Sequence, residues 1–412
     1  MKIELKEKIK SISNKRIDLF KEFLDSEKSS GYLLICITVL SLSITNSSLG
    51  IAYSNFWHTH IDLSFGNIFL NFSLSHWIND GLMTIFFLLV GLEIEREIYE
   101  GELSTIKKAS LPVIAAFGGM LLPALIHISF NINTVTQKGF GIPIATDIAF
   151  ALGVLSIIGK RIPVALKIFL TALAIIDDLG AIVVIAMFYT NTLSIAYLIG
   201  SLGIFSILLL MKKANVKKLT PYLLLGAVMW YLMLQSGVHA TISGVLLAFA
   251  IPFRRNSDSN ISYSLQKWLH KPVAFIILPL FALANTSIIL PNNIIVGLTT
   301  HNSIGIIAGL VLGKLIGVFL FSYLAVKVGF SSLPVSLNWN FIFGASALAG
   351  IGFTMSIFIT NLAFSNNELV TTSKLSIMVA STISALLGIL ILKIASRISH
   401  LPSENNFNCI DQ

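Results

Sequence analysis

Apolar runs, most of them close to the length a helix needs to cross a bilayer, recur along this chain between short polar connections. A crossing takes about 20 residues of helix, and no unpaired backbone group tolerates lipid. The runs cover roughly 32–54, 74–92, 109–130, 141–158, 163–189, 193–211, 220–233, 237–252, 262–286, 303–326, 340–364 and 371–395. The expected fold is therefore an all-α polytopic membrane protein with about 12 transmembrane helices, and membrane lipid as its surroundings. At 55% hydrophobic and 12% charged residues, nothing is left over for a large soluble domain.

The basic residues say how the runs are threaded. They gather in residues 1–28, Arg96–Lys108, Lys160–Arg161, Lys212–Lys218, Arg254–Arg255, Lys327 and the tail after Lys393. The intervening connections, Thr190–Thr192, Gln235–Gly237, Pro291–Asn302 and Ser365–Glu368, are almost free of base, and Lys138 alone breaks the pattern. This positive-inside alternation puts both termini in the cytoplasm and requires an even number of spans. Segments 1–31 and 397–412 are then cytoplasmic, around one transmembrane domain at 32–396. The same alternation explains the net charge of +8 without nucleic acid. Residues 1–28 are too polar for a cleavable signal peptide, so the first span serves as the targeting signal. Cys36 and Cys409 offer neither a disulfide framework nor a metal pattern.

One run carries what folding does not ask for. In TALAIIDDLGAIVVIAM, Thr171 to Met187, the adjacent carboxylates Asp177 and Asp178 sit inside a span whose only further charge is Lys167. An ionised Asp at the centre of a membrane helix costs at least ~2.5 kcal/mol, and a second beside it adds repulsion. Their presence points to an ion or proton task. Helical neighbours point about 100° apart, so one acid can face a water-filled cavity while the other faces a partner helix.

Span four, GFGIPIATDIAFALGVL, loses a backbone donor at Pro143 and is interrupted by Thr146 and Asp147. Asp147 is placed to cap the helix that restarts there, and a helix broken near the midplane is how transporters build ion sites. Span eleven, FIFGASALAGIGFTMSIFIT, carries Gly344, Gly350, Gly352 and Thr354, consistent with close helix packing or with a second break. Spans four and eleven are seven apart and so run in opposite directions. Two interrupted, crossing spans of opposite polarity suggest inverted-topology repeats, spans 3–5 against 10–12. Span ten holds Lys314 about eleven residues from its start, too deep for its stem to reach an interface. A buried Lys needs a carboxylate partner or loses its charge, and the deep carboxylates are Asp147, Asp177 and Asp178.

Elsewhere the residues leave alternatives open. Glu93, Arg96 and Glu97 lie within a turn of each other at the end of span two, either as a solvated terminus with internal ion pairs or as an acidic mouth for a cation path. His239 begins span eight, where a structural histidine and a pH switch are both compatible with its place. Residues 54–74 alternate apolar and polar on both sides of Gly66-Asn67, as a β-hairpin or an irregular loop would, and a hairpin edge would invite a second copy. His58 and His60 there read as surface residues, with no companions as metal ligands.

Several motifs together resemble the NhaA family of sodium/proton antiporters: WINDGLMTIFFLLVGLEIERE (77–97), PIATDIAFALGVL (143–155), LKIFLTALAIIDDLGAI (166–182), SGVHATISGV (236–245), LPLFALAN (278–285), GLVLGK (309–314) and GIGFTMSIFI (350–359). They run from span two to span eleven in the family's order. The resemblance implies that Asp177 and Asp178 bind the transported Na⁺ or Li⁺ and exchange it for protons, and that Asp147 and Thr146 stand at the span-four break. It implies that Lys314 either pairs with the first Asp or offsets the facing half-helix carbonyls. The Asp177 partnership leaves Asp178 free to face the cavity. Glu93, Arg96, Glu97, His239 and His270 become candidates for the pH response. The 54–74 hairpin matches the element through which the family forms homodimers. The implied setting is the bacterial inner membrane, with Na⁺, Li⁺ and H⁺ as transported ions, regulation of cytoplasmic pH and sodium, no cofactor and no enzymatic activity. The chain departs from the family pattern at Gln266 and Lys267, where a Glu-His pair is usual, at an inserted Lys271, and at Leu315 in place of a common proline. These changes detach the pH threshold from the resemblance. The rival classes are a cation channel, which would not couple to protons, and an intramembrane aspartyl protease, which would leave Lys314 and the second acid of the doublet unexplained.

Overall fold

A computed structural model describes residues 29–398 apart from positions 65, 67–68, 160–161, 191–192, 254–259, 291–292 and 335. Most of both expected cytoplasmic segments and the basic pairs at 160–161 and 254–255 lie outside the described residues. Helices occupy all the expected runs: α1 (Ser29–Thr45), α2 (Gly50–His58), α3 (Leu74–Tyr99), α4 (Ile106–Phe130), α5 (Ile148–Ile158), α6 (Val164–Phe188), α7 (Ile195–Lys213), α8 (Thr220–Gln235), α9 (Ile242–Ala250), α10 (Ile261–Asn285), α11 (His301–Lys327), α12 (Trp339–Leu348), α13 (Phe353–Ala363) and α14 (Asn367–Ile398). Among the described residues, seven helices are long and apolar enough to cross a membrane, and three bent pairs raise that number to ten. Helices α8 and α9, with 16 and 9 residues, account for the seventh and eighth runs and fall short of that length.

The first run, expected as a span at 32–54, is bent. Helix α1 ends at Thr45, and α2 leaves it at 112°. Asn46 and Ser47 turn their side chains back onto the Leu42 and Ile44 carbonyls, competing with helix continuation. The turn is so tight that a Cβ on Gly50 would lie 1.9 Å from the Thr45 carbonyl oxygen. Beyond α2 the outer connection is a β-hairpin. Strand β1 (His60–Asp62) pairs antiparallel with β2 (Asn71–Ser73), in the register His60 to Ser73. His58 and His60 are exposed, bonded to the Ser54 carbonyl and the Asn71 side chain.

The helices gather into two bundles. Helix α4 packs along α11 and against α6, α12 and α13 pack on α14, and the segment Val135–Ile144 lies against α4 and α13. In the other bundle α3 packs along α9 and α10, and α7 along α8. Each bundle has its own apolar centre, around Leu152, Leu173, Leu310 and Ile342 in the first and around Leu92, Tyr222, Met229 and Leu265 in the second. Contacts of α3 with α6 and of the end of α10 with α13 join them. Wide π-helical turns occur in both bundles, Val273–Ile277 after Pro272 and Gly309–Gly313 just before Lys314. Gly309 lets α11 approach the break in span four, where a Cβ would lie 2.8 Å from Pro143 Cβ.

Candidate functional site

The site begins with two helices that stop and restart opposite each other. The 3-10 segment Val135–Ile144 gives way to extended backbone at Ala145–Asp147, and α5 resumes at a 46° bend. Helix α12 ends at Leu348, and α13 resumes at a 44° bend. The interrupted strands of chain satisfy each other. The Asp147 amide donates to the Ile351 carbonyl at 2.7 Å, and the Thr146 hydroxyl lies 2.8 Å from the Ala349 carbonyl. Ser356 donates to the Ile142 carbonyl at 2.7 Å. Backbone freed from helices at this depth survives because it is paired across the crossing. Asp147 is the cap of α5, accepting from the Phe150 amide at 3.0 Å. Its other oxygen accepts from the Thr354 amide at 2.9 Å and from the Thr354 hydroxyl. One carboxylate therefore ties both restarted helices at their N-termini, where the helix dipole favours negative charge.

Asp177 and Asp178 project from the middle of α6 toward this crossing and are fully buried. Lys314 Nζ lies 2.5 Å from Asp177 Oδ2 and 3.0 Å from Thr146 Oγ1, and both partners of the ion pair are 0% exposed. The Thr146 hydroxyl also lies 2.8 Å from Asp177 Oδ2. Asp178 turns the other way, into a cavity of about 40 Å³ bordered by Asp147, Thr354, Glu93 and His270. That is room for a few waters or one ion. Asp177 Oδ1 and Asp178 Oδ1 are buried acceptors with no hydrogen-bond partner among the described residues. Adjacent residues with divergent roles follow from the 100° helical step.

Comparison with known proteins fixes the family. Residues 21–392 match the family described as Na+/H+ antiporter 1. A protein named Na(+)/H(+) antiporter NhaA from Cytophaga hutchinsonii is 54% identical over 375 residues, 91% of this chain and 95% of the relative. One of the same name from Dechloromonas aromatica is 56% identical over 375 residues, 90% of this chain and 94% of the relative. Another, from Vibrio parahaemolyticus, is 48% identical over 375 residues, covering 90% and 96%. The chain belongs to the NhaA family of Na⁺/H⁺ antiporters.

In this NhaA-family member the residues expected to answer pH divide among three places. Glu93 is buried at the cavity, within reach of the Gln266 side chain, and His270 lines the same cavity from α10. Arg96 pairs with Glu97 at 3.1 Å, and Glu97 also accepts from the Glu102 amide, so this pair closes the end of α3. His239 is elsewhere. Its Nε2 lies 2.8 Å from the Tyr189 carbonyl, at the end of α6 remote from Lys167.

Sequence reasoning passed over two groups. Thr354 was visible only as part of a small-residue pattern, yet it holds Asp147. Glu95, buried at 2% exposure, pairs with Lys212 at 3.0 Å and accepts from Ser262, tying α3, α7 and α10 together. The signal for it was a third acid in GLEIERE whose helical face differs from that of Glu93 and Glu97.

Proposed function

We propose that this chain is a secondary active, electrogenic antiporter that exports Na⁺ or Li⁺ in exchange for protons by alternating access. Its setting is the bacterial inner membrane with both termini cytoplasmic, and its work controls cytoplasmic pH and sodium. The observation that carries the reading is the Lys314–Asp177 pair beside Asp178, whose Oδ1 has no partner and whose carboxyl faces the cavity. In the exchange step Na⁺ meets Asp178 and draws on the Asp177 carboxylate. Asp178 gives up its proton, and Lys314, deprived of its partner, gives up a second. The ion and the protons compete for one set of oxygens, and the acids titrate as a group. Each net charge moved is driven by ~2.3 kcal/mol per 100 mV. Asp147, Thr146 and Thr354 keep the two half-helix ends at a fixed distance around the site. No cofactor enters this scheme, and no step in it is enzymatic. The hairpin edge offers the surface for a homodimer.

Everted membrane vesicles from a host lacking sodium/proton exchange provide the test. Energised vesicles receiving NaCl or LiCl between pH 6.5 and 9 lose their pH gradient, KCl leaves it intact, and Asp178→Asn abolishes the loss. Absence of any response with well-inserted protein would return the channel reading to the front. Charge-silent exchange in proteoliposomes would overturn the coupling through Lys314. The pH range of the response reads directly whether Gln266 and Lys267 move the threshold.

A further inference from the structure

At the end of α10 away from the cavity stands a polar cluster that the exchange scheme does not use. Asn285 is buried at 3% exposure and employs its whole side-chain amide. Its nitrogen donates to Asn79 Oδ1 at 2.8 Å and to the Phe281 carbonyl at 3.0 Å. Its oxygen accepts from Asn361 at 2.6 Å and from the Lys374 ammonium at 3.3 Å. Two donors and two acceptors are all that such a side chain can satisfy. Lys374 can only donate, which fixes which way round the amide sits.

The four residues come from both bundles. Asn79 and Asn285 belong to α3 and α10, Asn361 and Lys374 to α13 and α14, so the bonds onto the Asn285 oxygen cross the boundary. The same helices set a second layer toward the site. Phe87 of α3, Phe281 of α10 and Phe358 of α13 are fully buried, with ring centroids 5.3 Å apart for Phe87 and Phe358 and 6.3 Å for Phe281 and Phe358. Beyond them come Thr354 and the cavity, which occupies the same boundary. From Asn361 to Thr354 is seven residues, about 10 Å of helix. Alternating access moves one bundle against the other around a fixed site, and an ion leaving away from Glu93 must part these contacts.

We propose that the Asn285 hub, with Asn79, Asn361 and Lys374, is the interlock that holds the exit end closed while the cavity at Glu93 is available. The inference rests on the antiporter reading. The hub residues position the bundles and do not touch the ion. Weakening the interlock raises the fraction of molecules open at the far face, and apparent affinity at a face scales with the fraction competent there.

The test measures the KM for Na⁺ separately on each face, in everted and in right-side-out vesicles with matched protein content. Asn361→Ala lowers KM at the face opposite Glu93 by about tenfold, as expected from a tenfold population shift, and does not lower it at the Glu93 face. Lys374→Met repeats the comparison should Asn361→Ala fail to accumulate. A loss of turnover alone, with both faces shifted alike or neither shifted, overturns the interlock. Absence of sodium-driven proton movement in the wild-type vesicles would instead remove the antiporter reading beneath it.

Discussion

Two polar clusters lie on the boundary between the bundles, and they are built to opposite rules. At the crossing, Asp177 Oδ1 and Asp178 Oδ1 are buried without a hydrogen-bond partner, and Thr171 Oγ1 on the same helix is likewise unmet. At the far end, the Asn285 amide has every donor and acceptor engaged. A buried polar group left unmet costs about 1–3 kcal/mol, and more when charged. In the proposed scheme the fold tolerates that cost where a cation has to arrive and depart, and avoids it where two bundles have to be held. On that proposal, satisfaction of hydrogen bonds separates a place for cargo from a place for closure, although both are polar and buried.

The largest expected effect breaks the first cluster outright. Asp178→Asn keeps the shape and removes the charge, and sodium-evoked proton movement falls to background at every pH. Next comes Lys314→Met. It leaves Asp177 as an uncompensated buried charge, and breaking such a pair costs about 3–5 kcal/mol, read as a large drop in thermal midpoint in detergent. Adding Asp177→Asn removes the stranded charge and recovers most of that stability while exchange stays absent. A double variant that remained as unstable as the single one would show that Lys314 acts through packing, not through its partner.

The difference between the clusters also explains what could be read from the letters. Asp177, Asp178, Asp147 and Lys314 stand out because a charge inside an apolar run has no folding purpose, and Pro143 announces the break beside them. The structure brings these four and Thr146 to one crossing. Neutral polar residues give no such signal. Asn285 ends the apolar run LPLFALAN as any loop residue would, and Thr354 passes as one small residue among glycines. Lys374 is a charge, but so near the start of its run that snorkelling accounts for it equally well. The bend in the first span was hidden for a related reason: apolar content carries the run past Thr45, while the Asn and Ser side chains that end the helix are individually unremarkable. Alternation around Gly66 left hairpin and loop open because three-residue strands are too short for a period of two to decide.

A smaller effect sharpens the comparison at the Asp147 end of the crossing, where the carboxylate is fully partnered. Thr354→Val removes the hydroxyl donor and keeps the shape. Hydrogen bonds to charged groups are worth ~1.5–3 kcal/mol, so the thermal midpoint falls by less than for Lys314→Met, while Thr354→Ser, which restores the donor, returns close to wild type. A loss in Thr354→Ser as large as in Thr354→Val would show that the hydroxyl bond to Asp147 does not account for the effect.

The smallest effect lies outside the bundles. In the hairpin, hydrogen bonds from the Ser64 hydroxyl and amide, the latter 2.9 Å from Asp62 Oδ1, hold the Asp62 carboxyl below its usual range. A depressed native value contributes stability that is present above the ordinary carboxylate range and is lost as pH falls through the native value. Asp62 is fully exposed, so the effect stays local. Asp62→Ala therefore leaves sodium exchange unchanged and raises hydrogen exchange at the Ser64 amide at neutral pH. Below its depressed native value wild type and variant converge, because the wild-type carboxylate is then itself protonated. A variant that slowed transport would tie the hairpin to the exchange cycle; one confined to Ser64 keeps the contrast between unmet and satisfied groups at the boundary of the two bundles, where the proposed ion path lies.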